Sequence, residues 1–193
     1  MKVLRIRGRK RTLAAVAVMA TIALGTTGAA PAEAVPIQRG QSALILDQSI
    51  FSVLDPLGVG ILPVAPAVAV NGGEAFPING GRVSRNGQRA RINHRGGIVF
   101  GGDTSSVRAM RPRIVLNATT YELSALVGGQ RISFLNLSGG TILTPTRRRM
   151  VFRGVDAFLT FDAANALNQA FATDQFQEGL QVGRLRVRMR LAF

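Results

Sequence analysis

The sequence predicts a mainly β domain, an antiparallel, two-sheet, sandwich-like fold with one short amphipathic helix near the C-terminus. The first observation is that apolar and polar residues alternate with a period of two over much of the chain after residue 34, as in strands with one buried face. The second is a set of glycine pairs at turn-like intervals. These pairs lie at residues 72–73, 80–81, 96–97, 101–102, 128–129 and 139–140.

The elements can be followed along the chain. Residues 45–54 form either a strand or a helical turn, which ends at the Asp55-Pro56-Leu57-Gly58 sequence. Residues 89–94 and 113–117 then alternate as strands. Residues 121–127 do the same, and Gly128-Gly129 predicts a two-residue hairpin turn into residues 131–134.

Two elements are predicted close to the C-terminus. Residues 162–171 carry apolar side chains at helical spacing, with Thr160 or Asp162 available as the cap. The last strand alternates most regularly, so one of its faces should be buried and the other exposed. The apolar face holds Leu185, Val187, Met189 and Leu191, and the opposite face holds Arg184, Arg186, Arg188 and Arg190.

Residues 1–34 have the pattern of a secretion signal. Six basic residues precede an apolar run from Leu13 to Leu24, and Ala32-Glu33-Ala34 offers small residues to a signal peptidase. The run is about a dozen residues, whereas a membrane-spanning helix needs roughly 20. We therefore expect a mature protein that starts at Val35, a single domain over residues 35–193, and a secreted or cell-surface location. Retention of the segment as an anchor is the open alternative.

The mature chain is expected to be strongly basic. The whole sequence has 24 basic and 10 acidic residues, and residues 1–34 contain six of the former and one of the latter. The remaining net charge is +9, and arginine supplies all of its positive charges. Arginine binds carboxylate and phosphate in a bidentate manner, although a codon preference would produce the same composition. Polyanions of the cell envelope are the expected partners of such a surface, and nucleic acid is not expected.

Residues that could carry catalysis are sparse. The chain has no cysteine and one histidine, His94, and its acidic residues show no pair at a catalytic spacing. Motifs of serine hydrolases, zinc proteases and phosphate-binding loops are absent from the sequence. We therefore expect a protein that is not an enzyme, and no metal site.

His94 has two interpretations. The alternation in residues 91–100 places it on the apolar side of a strand, next to glycines that allow close backbone approach. It is either a buried neutral imidazole that serves packing, or a ligand-binding or ligand-supporting side chain in a pocket.

Several segments together resemble a known family. These are "RINHRGGIVF", "RIVLNATTYELSALVGG", "RISFLNLS", "DAANALNQAF" and "GLQVGRLRVRM". In this order they resemble secreted actinobacterial proteins related to the HtaA-type haem-uptake domain, over roughly residues 42–191. The resemblance implies a β-rich fold in which a tyrosine of the N-terminal segment coordinates haem iron and the histidine of the His-Gly strand supports it.

His94 matches the supporting histidine of that family. Residues 42–54 contain Phe51 and no tyrosine, and the single tyrosine, Tyr121, lies on a different strand. The resemblance leaves haem open as a cofactor, and the missing tyrosine in residues 42–54 predicts weak or no binding of it.

Two functions follow from the sequence. The first is a non-enzymatic binding protein of the cell envelope that holds a small apolar ligand near His94, Tyr121 and Phe51. The alternative is a structural or adhesive envelope protein, which binds anionic cell-wall polymer through the arginine face formed by Arg184, Arg186, Arg188 and Arg190.

Overall fold

The structure, a computed structural model, describes residues 33–192, which form twelve strands, two α-helices and one short 3₁₀ helix (Asp55–Leu57). The predicted signal, residues 1–34, therefore lies almost wholly outside the described residues. The strands are β1 (Ala34–Leu46), β2 (Gly60–Val64), β3 (Val68–Val70), β4 (Gly73–Ser84), β5 (Ala90–His94), β6 (Gly97–Gly101), β7 (Ser106–Leu116), β8 (Tyr121–Val127), β9 (Gln130–Ser138), β10 (Thr141–Thr146), β11 (Arg149–Leu159) and β12 (Gln181–Leu191), and the helices are α1 (Gln48–Leu54) and α2 (Phe161–Phe171).

The strands form one continuous antiparallel sheet that closes on itself. Eight strands make the ring, in the cyclic order β7, β5, β4, β1, β12, β11, β9 and β8, and pairing between β8 and β7 completes it. β6 and β2 extend from the first half of β7, while β3 and β10 pair with β4 and β11. The predicted mainly β, antiparallel character is confirmed. The predicted sandwich of two sheets is corrected to a single closed sheet.

β7 has an irregularity between the segment that pairs with β6 and the segment that pairs with β5. Gly97 pairs with Met110, whereas Asn93 pairs with Arg113, so the same edge of β7 meets first β6 and then β5. Arg111, between the two halves, has φ +49°, and the register against β8 shifts there as well. A bulge of this kind bends a strand and increases its twist. Beyond this bulge, residues 113–116 of β7 pair with β5 on one edge and with β8 on the other.

The alternation predicted for the last strand is confirmed. In β12 the side chains of Leu185, Val187, Met189 and Leu191 are all buried, whereas Arg184, Arg188 and Arg190 are exposed and Arg186 is half-buried. The interior of the ring is a packed apolar core, to which β1, β4, β7 and β11 also contribute. Gly128 and Gly129 have φ +57° and +85°, which confirms the predicted hairpin turn between β8 and β9.

Both helices lie at one end of the ring. β1 and β11 are each antiparallel to β12, so their C-terminal ends, which lead into α1 and α2, point the same way. Asp47 caps α1 and Thr160 caps α2 by accepting hydrogen bonds from backbone N–H groups. The predicted C-terminal helix is confirmed, and the ambiguous segment 45–54 is a strand end followed by a helix. We call this end the helical end and the other end, where residues 85–89 and 117–120 turn, the turn end.

Candidate functional site

His94 lies inside the closed sheet, with both ring nitrogens hydrogen-bonded. Nδ1 is 3.0 Å from the carbonyl oxygen of Pro112, which can only accept, so Nδ1 carries the proton and donates it. Nε2, 2.7 Å from Oγ of Ser42, then accepts from that hydroxyl. The edge of the ring meets Phe76, with ring centroids 6.5 Å apart. Burial lowers the pKa of His94 to about 4, so the ring is neutral at physiological pH.

The space beside His94 does not fit haem. A cavity of about 20 Å³, next to Phe76 and Pro112, has room for about one water. His94 is only 3% exposed, and its hydrogen bonds occupy both nitrogens that could approach an iron atom. The residue of the N-terminal segment that faces His94 is Ser42, in the segment where the resemblance implies a tyrosine.

Tyr121 lies in a different environment, at the turn end. It is half exposed and lines an apolar groove of about 220 Å³. The other residues of the groove come from the 85–89 turn, the ends of β7 and β9, and the β10–β11 hairpin. They are Gly87, Gln88, Leu116, Leu137, Ser138, Gly139, Gly140, Thr141, Ile142, Phe152 and Val155.

The three predicted ligand-binding residues do not come together. Tyr121 pairs with Leu116, which pairs with Ala90, and His94 lies four residues farther along β5, or about 13 Å toward the helical end. Phe51 belongs to α1 at that helical end, where it packs against the core. Of the three, Tyr121 is the one that a ligand in the groove can reach.

Glu74 is a buried carboxyl that the sequence analysis did not single out. It pairs in register with Leu44 of β1 and Ala69 of β3, is 5% exposed, and its Oε2 has no hydrogen-bond partner. Burial raises its pKa above the usual value. An acidic residue after a glycine pair looks like part of an exposed turn, so the sequence contains no signal for this burial.

Replacing Glu74 with glutamine is expected to stabilise the protein at neutral pH. Because the folded-state pKa is raised, Glu74 contributes stability below its ordinary pKa of 4.5 and loses that contribution as the pH rises through the folded value. The melting temperature of Glu74→Gln should therefore exceed that of the wild type at pH 7.5, and the difference should shrink near pH 4. A gain of equal size at both pH values would contradict this assignment.

The arginines of β12 are joined by two others on neighbouring strands. Arg190 pairs in register with Arg149 of β11 on one side and Arg39 of β1 on the other. At the other end of β12, Nε of Arg184 lies 3.1 Å from a carboxylate oxygen of Asp156. Arg186 has a buried Nε without a partner, and burial, with Arg188 and Arg153, lowers its pKa. Only the register shows that Arg39 and Arg149 belong to this face.

Comparison with solved structures gives the fold. The C-terminal domain of HtaA from Corynebacterium glutamicum superposes with a TM-score of 0.61 at 18% identity, over 82% of this chain and 99% of that domain. The chain has the fold of the HtaA domains. The N-terminal HtaA domain of the same organism gives a TM-score of 0.62 at 13% identity, over 81% of this chain and 99% of that domain.

A third HtaA structure matches less extensively. It is a domain-swapped dimer of a histidine-to-alanine variant of the C-terminal HtaA domain, with a TM-score of 0.51 and 20% identity over 74% of this chain and 88% of that one. No protein-family model matches the chain, and no curated protein does. The relation to HtaA domains predicted from the sequence is thus supported by structure, at the level of the fold.

Two further observations concern residues 33–192. Within them, no helix is long and apolar enough to cross a membrane. Over the same range, no three side chains of the His, Cys, Asp and Glu types are grouped so that they could hold a metal ion.

Proposed function

We propose that this protein is a non-enzymatic binding protein of the cell envelope, with an HtaA-type fold, which holds a small apolar ligand in the groove beside Tyr121. The observation that carries the proposal is the groove itself, where a half-exposed tyrosine lies among apolar side chains and glycines. Ligand sites are typically concave and apolar, with few polar groups. Tyr121, Gln88, Ser138 and Thr141 supply the polar groups that would orient the ligand.

The family resemblance implies haem as the ligand. We do not propose that His94 coordinates the haem iron. The imidazole is enclosed, neutral and doubly hydrogen-bonded. The groove at Tyr121 is small, about 220 Å³, so it suits a ligand smaller than a porphyrin or only one edge of a larger molecule. The envelope location rests on the signal-like pattern of residues 1–34.

Binding in the groove can be measured through the fluorescence of Tyr121. Tyr121 is the one tyrosine of the chain, which has no tryptophan, so tyrosine emission reports on this groove alone. Titration with N-phenyl-1-naphthylamine, a neutral, flat and apolar fluorophore, is expected to quench that emission and to raise the emission of the probe. Ile142→Asp, which places a charge in the groove, should weaken binding about ten-fold or more, or about 1.4 kcal/mol.

Leu62→Asp is the matched control. Leu62 is an exposed apolar strand residue like Ile142, but it lies on β2 and does not line the groove. Binding by this variant should equal that of the wild type. Absence of quenching, equal loss in both variants, or a haemin Soret shift that disappears in His94→Ala would each refute the proposal.

A further inference from the structure

A second groove, of about 650 Å³, lies at the tip of the β10–β11 hairpin, at the turn end. Arginine guanidinium groups and threonine hydroxyls supply its polar groups, and no acidic residue among residues 33–192 is part of its lining. Both kinds of group donate hydrogen bonds to anionic oxygens. The lining residues are Arg85, Thr144, Thr146, Arg147, Arg148, Arg149, Met150 and Leu191.

The positive charge continues from this groove across the outer surface of the sheet. Arg149, at the edge of the groove, pairs in register with Arg190, which in turn pairs with Arg39. Neighbouring strands are about 4.8 Å apart, so these three exposed arginines form a row about 10 Å long. Like charges directly opposite each other on adjacent strands are destabilising. The row therefore weakens the folded protein when no anion covers it.

The neighbouring carboxylates do not neutralise the row. Within residues 33–192 the arginines that pair with a carboxylate are Arg85, with Glu33, and Arg184, with Asp156. Arg39, Arg149 and Arg190 make no such pair in this range. An added anion would thus meet three positive charges that no carboxylate within residues 33–192 pairs with.

We propose that a linear polyanion binds along this surface, which we call the arginine track: Arg85, Arg147, Arg148, Arg149, Arg190 and Arg39. A single phosphate ion would bind in the groove only and would not extend over the row. The continuation of charge over three strands instead fits a polymer with one negative charge per repeat, because successive charges can then meet the groove and the row together. This inference does not depend on the apolar groove beside Tyr121.

Glu33 connects anion binding with the predicted cleavage of the signal segment. Its carboxylate lies 2.8 Å from the guanidinium of Arg85, and it is the acidic residue that touches the track among those described. The predicted cleavage before Val35 would remove it. The processed protein would then carry one negative charge fewer beside the groove and should bind the polyanion more tightly than the uncleaved chain.

Labelled long-chain polyphosphate tests the proposal by fluorescence anisotropy. Affinity should fall steeply as salt rises from about 50 to 200 mM, because binding releases counterions. The double variant Arg149→Gln/Arg190→Gln should bind about ten-fold more weakly and should lower the salt slope by about 1.4, or 0.7 for each lost contact. The control is Arg95→Gln/Arg108→Gln, which removes the same charge from exposed sites. Arg108 lies on β7, diametrically opposite β12 in the ring.

Thermal unfolding supplies a second readout. Without polyphosphate, Arg149→Gln/Arg190→Gln should melt at a higher temperature than the wild type, because the repulsion within the row is relieved. Polyphosphate should raise the melting temperatures of the wild type and of the control variant. It should raise that of the track variant much less. A merely structural role for these arginines would lower the melting temperature of the track variant.

Four results would overturn the proposal. Equal loss of affinity in the two double variants would show that net charge alone attracts the polymer. Inorganic phosphate that competes as well as polyphosphate, at equal phosphate concentration, would indicate a single-anion site. Stronger binding to vesicles of phosphatidylglycerol than to polyphosphate would indicate a membrane surface. A lower melting temperature of the ligand-free track variant would exclude repulsion within the row.

Discussion

Replacing Val187 with aspartate is expected to destabilise the domain by about 3–5 kcal/mol. Val187 is fully buried in β12, between Ser42 of β1 and Phe152 of β11 in the register of the sheet. No arginine of β12 can reach the new carboxylate, because the arginines lie on the opposite face. The charge would therefore be buried without a partner, which consumes much of the 5–15 kcal/mol that typically stabilises a domain.

Urea unfolding measures this loss of stability. Two further variants serve as controls. Arg188→Ser, one residue away on the exposed face, should stay within about 0.5 kcal/mol of the wild type. If Val187→Asp does not fold at all, Val187→Ala should still show a loss of about 2 kcal/mol from the cavity that it leaves. Similar effects of the changes at 187 and 188 would mean that β12 is not buried on one face only.

Acidification from pH 6.5 to about 4 is expected to remove about 3 kcal/mol of stability through His94 alone. The pKa of His94 is lowered from 6.5 to about 4 by burial, and each unit of such a shift corresponds to about 1.4 kcal/mol. Because the folded-state pKa is the lower one, the unfolded chain takes up the proton first. The contribution is thus fully present above pH 6.5 and is lost as the pH falls to about 4.

The comparison of wild type with His94→Gln isolates this effect. Glutamine does not titrate, so the variant should lose much less stability between pH 7 and pH 4.5, although it is less stable at pH 7. Glu74 acts in the opposite direction over this range, since its raised pKa adds stability on acidification. It is present in both proteins, so it cancels in the difference. Parallel pH profiles of the two proteins would show that His94 is accessible to protons in the folded state.

The local elements could be predicted because each depends on residues that are near in sequence. Alternation identified the buried face of β12 and the glycine pair identified the β8–β9 hairpin. Helical spacing with a capping residue identified α2. The closed ring could not be predicted in this way, because strands with one buried face show the same alternation in an open sandwich and in a closed sheet. The ring also requires pairs of strands that are distant in sequence, such as β1 with β12, whereas the β7–β8 pair is a local hairpin.

For the candidate sites, too, the local features could be predicted from the sequence and the long-range contacts could not. The sequence indicated that His94 is apolar-facing, and the structure adds that Ser42 and Pro112 occupy both of its nitrogens. Tyr121 was predicted to be a binding residue because it is the chain's one tyrosine, but its groove is built from turns that are far apart in sequence. His94 and Tyr121 were therefore predicted to share one cleft, although they lie near opposite ends of β5.

By itself the sequence determined the antiparallel β character, the C-terminal helix, the arginine face of β12 and the scarcity of catalytic groups, because residue type and short-range spacing fix these properties. The tertiary structure alone decided the closure of the sheet, the separation of His94 from Tyr121, and the row that joins Arg39, Arg190 and Arg149. The physical reason is register. Which residues of two distant strands lie opposite each other depends on the packing of the whole core, and no local pattern records it.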